Sequence, residues 1–455
     1  MCMLGLVSVG HAQVGGGLGG GLGGGLGGGL GGGSGGGLGG GSFGGANDPS
    51  MVPITDGFRV IPSITVAERY DSNVFLRPKS STLDRSDYVS TVAPQIRGLY
   101  SGSAMTVNAT VAAIASYYAQ HTNLSNVGTN AGLFLDLSPM LGRWWQGATF
   151  TVFEQFRYTP EPPSFLVGNH QGDTANLFLT GQQVGRANSR SNTVGAAVSM
   201  PVTETLSLTG SYSNGFLKFG SSQTEQAGTL LNSSVQTFTV GMLKQLSLQD
   251  SVTLNFIDSE TQFEQNRGSF SSRGGIIGWN HAFSPAVTLF SSAGATVVER
   301  QSSGLGAQGT QGQSSGPSTG SSTVAPTGRA ALTWRDSTTT LTMAYGLSIV
   351  PSNQSSPQPL LSNTVTFAVT QVTPIPDLVG VASVNYGRGD QIGSTSVNAV
   401  SFTSYAASGG MVYQFTPQTF LNLNYAYSNF DNQFGATTRS FDRHIVSISI
   451  AQAFY

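Results

Sequence analysis

Charged residues are scarce in this chain: Asp, Glu, Lys and Arg make up only 9% of its 455 residues. A soluble protein usually carries about 25% charged residues. Ser, Thr, Asn, Gln and Gly replace the missing charge, and the mean hydropathy is −0.01. The net charge is −2. Because there is no basic excess to neutralise phosphates, the composition argues against a nucleic-acid partner.

Long apolar runs and cysteines are also missing. No stretch approaches the roughly 20 apolar residues of a spanning helix, which excludes a helical inner-membrane protein. The single cysteine, Cys2, stands near the start. We therefore predict no disulfide framework and no cysteine-based metal site. No cofactor is predicted either.

The first residues resemble the end of a secretory signal. Residues 1–10 are mostly small and apolar, and Gly10-His11-Ala12 is a suitable cleavage site. We expect residues 1–12 to be a signal-peptide remnant that lacks its basic start, which points to a misplaced start codon. Residues 13–57 are largely glycine, with Leu or Ser at every fourth position between 18 and 42. Such a segment is predicted to be a disordered periplasmic tether.

From residue 58 to residue 455 the chain alternates apolar and small polar residues. The clearest case is 340–349, where Leu341, Met343 and Tyr345 alternate with Thr, Ala and Gly. A period of two gives each strand one apolar face and one polar face. Tight turns, several with Pro or Asp, alternate strictly with long polar connections. This order predicts an up-and-down meander.

The connections set the number of strands. The tight turns lie near 100–104, 138–147, 201–205, 246–250, 284–286, 335–338, 373–377 and 416–419. The long connections lie at 71–87, 119–128, 159–192, 218–234, 265–271, 300–327, 350–361, 389–401 and 429–442. These connections predict about 18 strands of roughly ten residues, or 16 if one weakly patterned hairpin is miscounted.

A meander of this length must hide its edges, and a closed barrel in a bacterial outer membrane does so. The fold class predicted is therefore all-β: a transmembrane up-and-down antiparallel β-barrel, over residues 58–455. Short turns then face the periplasm and long loops the exterior, which places both chain ends in the periplasm. The outer-membrane lipid is an expected partner.

The last strand resembles the terminal recognition signal of outer-membrane barrels. It ends in Phe454-Tyr455, which are the candidate signal for the barrel assembly machinery. The apolar series Val446, Ile448, Ile450 and Phe454 lies on the parity opposite to that of the usual signal, so the match is partial.

Residues 66–76, with the run Tyr70-Asp71-Ser72-Asn73-Val74-Phe75, are similar to the first-strand motif of an outer-membrane β-barrel porin family. That family is often encoded beside genes for exopolysaccharide export. The resemblance implies a porin-like barrel and, as further partners, components of polysaccharide export. Without the resemblance, residues 71–73 are simply a turn that leaves the first strand.

We predict a channel and not an enzyme. None of the histidines has a metal-ligand partner at i+2 or i+4 or an acid spaced to orient it. Barrels of 16 to 18 strands have an aqueous lumen, and charged rings set selectivity. Besides Gln95 and Gln155, the candidate pore-lining residues are Arg97, Arg157, Arg329, Arg335, Asn385, Asn422 and Asn424.

The arginines would favour anionic or polyhydroxy solutes, unless they pair with Asp136 or Glu154 or sit at the rim. Three functions stay open. One is a porin-like channel for polar solutes, with exopolysaccharide as a candidate cargo. The second is a surface-binding or structural barrel with a plugged lumen and partner-binding loops. The third is a soluble β-sandwich or adhesin. The candidate constrictions are loop 159–192 and the glycine-rich segment.

Overall fold

The computed structural model of the chain describes residues 57–78, 81, 85–159, 187–222, 230–264, 268–301, 322–352, 358–393, 400–434 and 437–454. Each strand pairs antiparallel with the next, and β1 pairs with both β2 and β18, so the sheet is a closed ring of 18 strands. The predicted fold class is confirmed, and the count is 18 and not 16.

The strands start one residue before the predicted barrel boundary. Residues 1–56, which include the predicted signal remnant and most of the tether, lie outside the described residues. The strands are β1 (Gly57–Asp71), β2 (Asp87–Ser101), β3 (Thr106–Tyr118), β4 (Asn126–Asp136), β5 (Thr149–Thr159), β6 (Ala187–Thr203), β7 (Leu206–Ser222), β8 (Ser233–Gln245), β9 (Asp250–Phe263), β10 (Gly268–Ser284), β11 (Val287–Gln301), β12 (Ser322–Arg335), β13 (Thr339–Ser352), β14 (Gln358–Val372), β15 (Leu378–Gln391), β16 (Val400–Thr416), β17 (Thr419–Phe434) and β18 (Thr437–Ala453).

Two short helices interrupt the connections that the structure describes. A 3₁₀ turn, Thr122–Leu124, follows β3, and an α-helix of four residues, Ser138–Leu141, follows β4. In the part of the chain that the structure describes, no helix is long and apolar enough to span a membrane.

All eight predicted tight turns join consecutive paired strands. The strands are longer than the ten residues expected, however, and β18 has 17. Most of the extra length lies on the side of the long connections: the predicted loop 429–442 is largely paired strand, because β17 ends at Phe434 and β18 begins at Thr437. Beyond the membrane a strand needs no apolar face, but its backbone groups still need partners.

The two faces of the wall differ in chemistry. On β18 the side chains of Val446, Ile448 and Ile450 point outward and are 45%, 48% and 52% exposed, whereas Ser447 and Ser449 point inward and are buried. The same alternation runs around the ring. The outward apolar belt fits lipid, and closure leaves no edge with unpaired backbone groups. The barrel is therefore transmembrane.

Candidate functional site: the lumen of the barrel

The candidate pore-lining residues all belong to the inward-facing rows of the wall. On β2, Gln95 and Arg97 alternate with Pro94 and Ile96, which face outward. Their rows continue across the strand pairs, so the register places the whole set on the inner face: Gln95, Arg97, Gln155, Arg157, Arg329, Arg335, Asn385, Asn422 and Asn424.

The charges of the strands are separated between the two faces. Nine arginines lie in inward-facing rows: Arg59, Arg69, Arg97, Arg157, Arg300, Arg329, Arg335, Arg439 and Arg443. Only three acids share those rows: Asp71, Asp87 and Asp136. The outward rows hold nine acids, Glu68, Glu154, Asp250, Asp258, Glu260, Glu299, Asp390, Asp431 and Asp442, against five bases, Arg190, Lys218, Lys244, Arg273 and Arg388. The lumen wall is basic although the whole chain is slightly acidic.

The inward acids have partners of their own. Asp71 is ion-paired with Arg443 on β18. Asp87 accepts hydrogen bonds from the backbone of Gln120 and His121 at 2.9 and 2.8 Å. Asp136 accepts from the backbone N–H of Ser138 at 2.9 Å. The predicted pairing of lumen arginines with Asp136 or Glu154 is wrong for Glu154, whose side chain faces outward and accepts from Asn192 at 3.1 Å.

Individual lumen side chains are held in different ways. The Nε of Arg97 donates to the Oδ1 of Asn108 at 3.2 Å, and the guanidinium of Arg329 lies 6.0 Å from the ring centre of Phe290. Asn422 donates to the hydroxyl of Ser449 at 3.3 Å. Asn385 is only 8% exposed, and neither atom of its amide has a hydrogen-bond partner among the described residues.

Apolar side chains are buried in the long-connection half of the lumen. The end of the β13–β14 hairpin separates two buried clusters. Val350 and Leu360 belong to one cluster, and Ile349 and Leu361 pack against the other. The first also contains Leu76, Val400, Phe402, Phe430 and Phe441, and the second contains Leu231, Phe263, Phe270, Val298, Ala325 and Ile392. The hairpin end thus connects distant parts of the wall.

A second element enters the lumen directly after β1. We call residues 73–77 the lumen insert. Val74, Phe75 and Leu76 are 0%, 9% and 4% exposed. Val74 and Phe75 pack with Val89, Tyr118 and Leu124 on the β2–β3 side, while Leu76 belongs to the cluster of the β13–β14 hairpin.

The predicted constrictions lie mostly outside the described residues. Residues 160–186 of the candidate loop 159–192 and the glycine-rich segment lie outside the described residues. Residues 187–192 are part of β6. The narrowing formed by the described residues comes from the lumen insert and the β13–β14 end. Sequence reasoning missed both, and the available signal was the apolar triplet Val74-Phe75-Leu76 in a polar connection.

The end of the chain closes the seam of the barrel. Nine register pairs join β1 and β18, from Ser63↔Ala453 to Asp71↔Ile445. The N–H of Phe454 then donates to the carbonyl of Pro62 at 2.9 Å. Phe454 is half exposed, and Tyr455 lies outside the described residues. The role of these two residues in assembly stays a prediction.

Among the described residues, no group of three or more His, Cys, Asp or Glu could hold a metal ion. No protein-family model and no curated protein matches the chain. Three solved structures of Pseudomonas aeruginosa proteins have a similar fold. OccK2 (OpdF) has 12% identity, a TM-score of 0.44 and coverage of 87% of this chain and 98% of the other. OccK9 (OpdG) has 10% identity, a TM-score of 0.45 and the same two coverages. OccK1 (OpdK) has 13% identity, a TM-score of 0.44 and coverage of 88% and 100%. These values are too low to carry an argument about function.

Proposed function

We propose that the chain is an outer-membrane, porin-like channel for the passive passage of small polar solutes, and that it prefers anions. The observation that carries this proposal is the separation of charge across the wall, with nine arginines against three aspartates on the inner face. Apolar side chains on the outer face fit lipid, so the outer membrane is the location proposed.

The chemistry of the inner face supports the preference for anions. A lumen with low-dielectric walls concentrates the field of charges of one sign and enriches ions of the opposite sign. Arginine stays charged at any physiological pH, and its planar fork suits carboxylate and phosphate groups. Arg97, Arg157 and Arg329 stand on three well-separated strands, so their field covers the wall and not one point.

The test is the reversal potential of purified protein in planar bilayers under a salt gradient. Wild type should show stepwise conductance and select anions. The triple variant Arg97→Gln, Arg157→Gln, Arg329→Gln halves the inward excess of positive charge, from six to three, so its reversal potential should move towards zero. The control is Arg190→Gln, which removes an outward-facing, exposed charge. Cation selectivity in wild type, or equal shifts in both variants, would contradict the proposal.

A second candidate function is a structural or surface-binding barrel whose lumen is permanently plugged. The two apolar clusters and the lumen insert favour it, because they are buried in the long-connection half of the lumen. Wild-type barrels that show heat-modifiable migration on a denaturing gel but stay silent in bilayers at all voltages would support this candidate.

Assembly and cargo complete the proposal. Phe454 and Tyr455 are proposed as the signal for the barrel assembly machinery, and outer-membrane lipid as the partner of the apolar belt. Export of exopolysaccharide rests on the sequence resemblance alone, so it is not included in the proposed function.

A further inference from the structure

The lumen insert has an unusual composition for its position. A connection that faced water would be polar, yet Val74, Phe75 and Leu76 are consecutive, apolar and buried. They are also placed between two parts of the wall, since Val74 and Phe75 contact the β2–β3 cluster while Leu76 joins the β13–β14 cluster. The insert therefore connects apolar groups on both sides of the lumen.

One side chain, Asn73, holds the insert in this place. Its Nδ2 donates to the carbonyl of Arg77 at 2.8 Å and to the carbonyl of Asp442 at 2.9 Å. Its Oδ1 accepts the N–H of Arg77 at 2.9 Å. These bonds join the two ends of the insert to each other and to β18. The N–H of Asn73 donates to Asp71 at 3.0 Å, which fixes the point where the chain leaves β1.

The filled mouth also contains polar atoms that have no hydrogen-bond partner among the described residues. Ser352 is fully buried at the β13–β14 end, and Asn432 is 1% exposed opposite Phe402. Neither the Ser352 hydroxyl nor either amide atom of Asn432 has a hydrogen-bond partner among the described residues. A buried polar group without a partner destabilises the state that contains it. Water that entered an open mouth could bond to these atoms, which favours the open state.

We propose that the lumen insert is a gate: in the closed state residues 74–76 fill the mouth beside the β13–β14 end, and the hydrogen bonds of Asn73 set how often the insert leaves. This inference rests on the proposed channel function. Asn73 acts here as a positioning residue, since it holds the insert and does not itself meet the solute.

The first test is single-channel recording of the full chain carrying Asn73→Ala. Loss of three side-chain hydrogen bonds should raise the open probability at least about tenfold, the factor that corresponds to ~1.4 kcal/mol. The control is Asn232→Ala at the β7–β8 connection, away from the insert. It removes the bond accepted from the N–H of Phe219 (2.7 Å) and the bond donated to Glu264 (2.8 Å). The control should gate as wild type does. An unchanged open probability in Asn73→Ala would overturn the proposal.

A second test avoids the risk that Asn73→Ala fails to fold. Val74→Cys, in a Cys2→Ser background, keeps a small apolar side chain in the insert. A bulky maleimide that cannot cross membranes should react with this thiol only when the mouth opens. Once attached it should prevent closure, so the conductance should rise and stay high. Labelling without a change in conductance, or a conducting channel whose thiol never reacts, would refute the gate.

The same recordings separate this inference from the proposed function. A wild-type channel that conducts and selects anions, with gating unaffected by changes in the insert, would overturn the gate alone. Both proposals would be overturned if wild-type barrels and barrels carrying Val74→Ser, Phe75→Ser and Leu76→Ser migrate as folded protein but show no conductance.

Discussion

The buried ion pair between Asp71 and Arg443 offers a sharp test of how the barrel is closed. The two side chains are 0% and 5% exposed and join the first strand to the last. The Nε of Arg443 donates to both carboxylate oxygens of Asp71, at 3.0 and 3.1 Å. Arg69, which is 1% exposed, adds a second positive charge close to the same carboxylate.

This arrangement predicts that removing Asp71 lowers the free energy of unfolding more than removing Arg443 does. Breaking a buried pair typically costs about 3–5 kcal/mol, because one charge remains buried without compensation. Asp71→Asn leaves two buried guanidinium groups without this carboxylate, so it should lower the free energy of unfolding by about 5 kcal/mol. Arg443→Met leaves a carboxylate that still has Arg69 and the N–H of Asn73. Its cost should be about 3 kcal/mol or less.

The double variant sharpens the test. Asp71→Asn with Arg443→Met removes one of the two buried guanidinium groups that lose this carboxylate, so it should be more stable than Asp71→Asn alone. The measurement is urea unfolding of barrels refolded into phospholipid vesicles, followed by heat-modifiable migration and tryptophan fluorescence. Equal costs for the two single variants, or a double variant whose cost is the sum of both, would show that the pair does not act as a coupled charge site.

Two further predictions concern packing and assembly. Gly195→Ala should destabilise the barrel by about 1–3 kcal/mol, because its Cβ would lie 2.6 Å from the Phe153 ring. Gly210→Ala, whose nearest neighbour is Val198 at 3.4 Å, should be nearly neutral in the same urea titration. Phe454→Ala should lower the yield of heat-modifiable barrel in cells while leaving refolding into vesicles in vitro largely unchanged; an unaltered yield in cells would remove Phe454 from the assembly signal.

The strand count and the facing of the wall were predictable because turns mark the strand ends and the bilayer imposes the alternation. Alternation of apolar and small polar residues is required wherever a strand has lipid on one side, and the tight turns carry Pro or Asp at the strand ends. Pro201 and Pro417, for example, mark two turns that the structure confirms. The apolar row Val446, Ile448 and Ile450 faces outward as its parity indicates.

The contacts that the sequence did not predict lie on the side of the long connections. Arg443 follows the predicted loop 429–442, and its partner Asp71 lies 372 residues away, so no local pattern relates them. Asn73 likewise depends on a contact that only closure of β1 on β18 creates, its bond to the carbonyl of Asp442. The sequence predicts a turn at residues 71–73, and the structure adds that this turn directs the apolar triplet 74–76 into the lumen.

Strand length explains why several outward acids and the filled mouth lie at the same end. A strand of 17 residues such as β18, at about 3.4 Å per residue and a tilt of about 40°, rises about 44 Å. The apolar band of an outer-membrane barrel is only about 25 Å tall, so several residues protrude beyond it. Outward acids such as Asp431 and Asp442 lie in this protruding part, where headgroups and water replace hydrocarbon. Inward-facing residues in this part of the strands need neither contact lipid nor line an open pore. Phe430 and Phe441 can therefore pack against Leu76. The gate is therefore expected outside the hydrocarbon region, and changes to it should alter gating without altering insertion into the membrane.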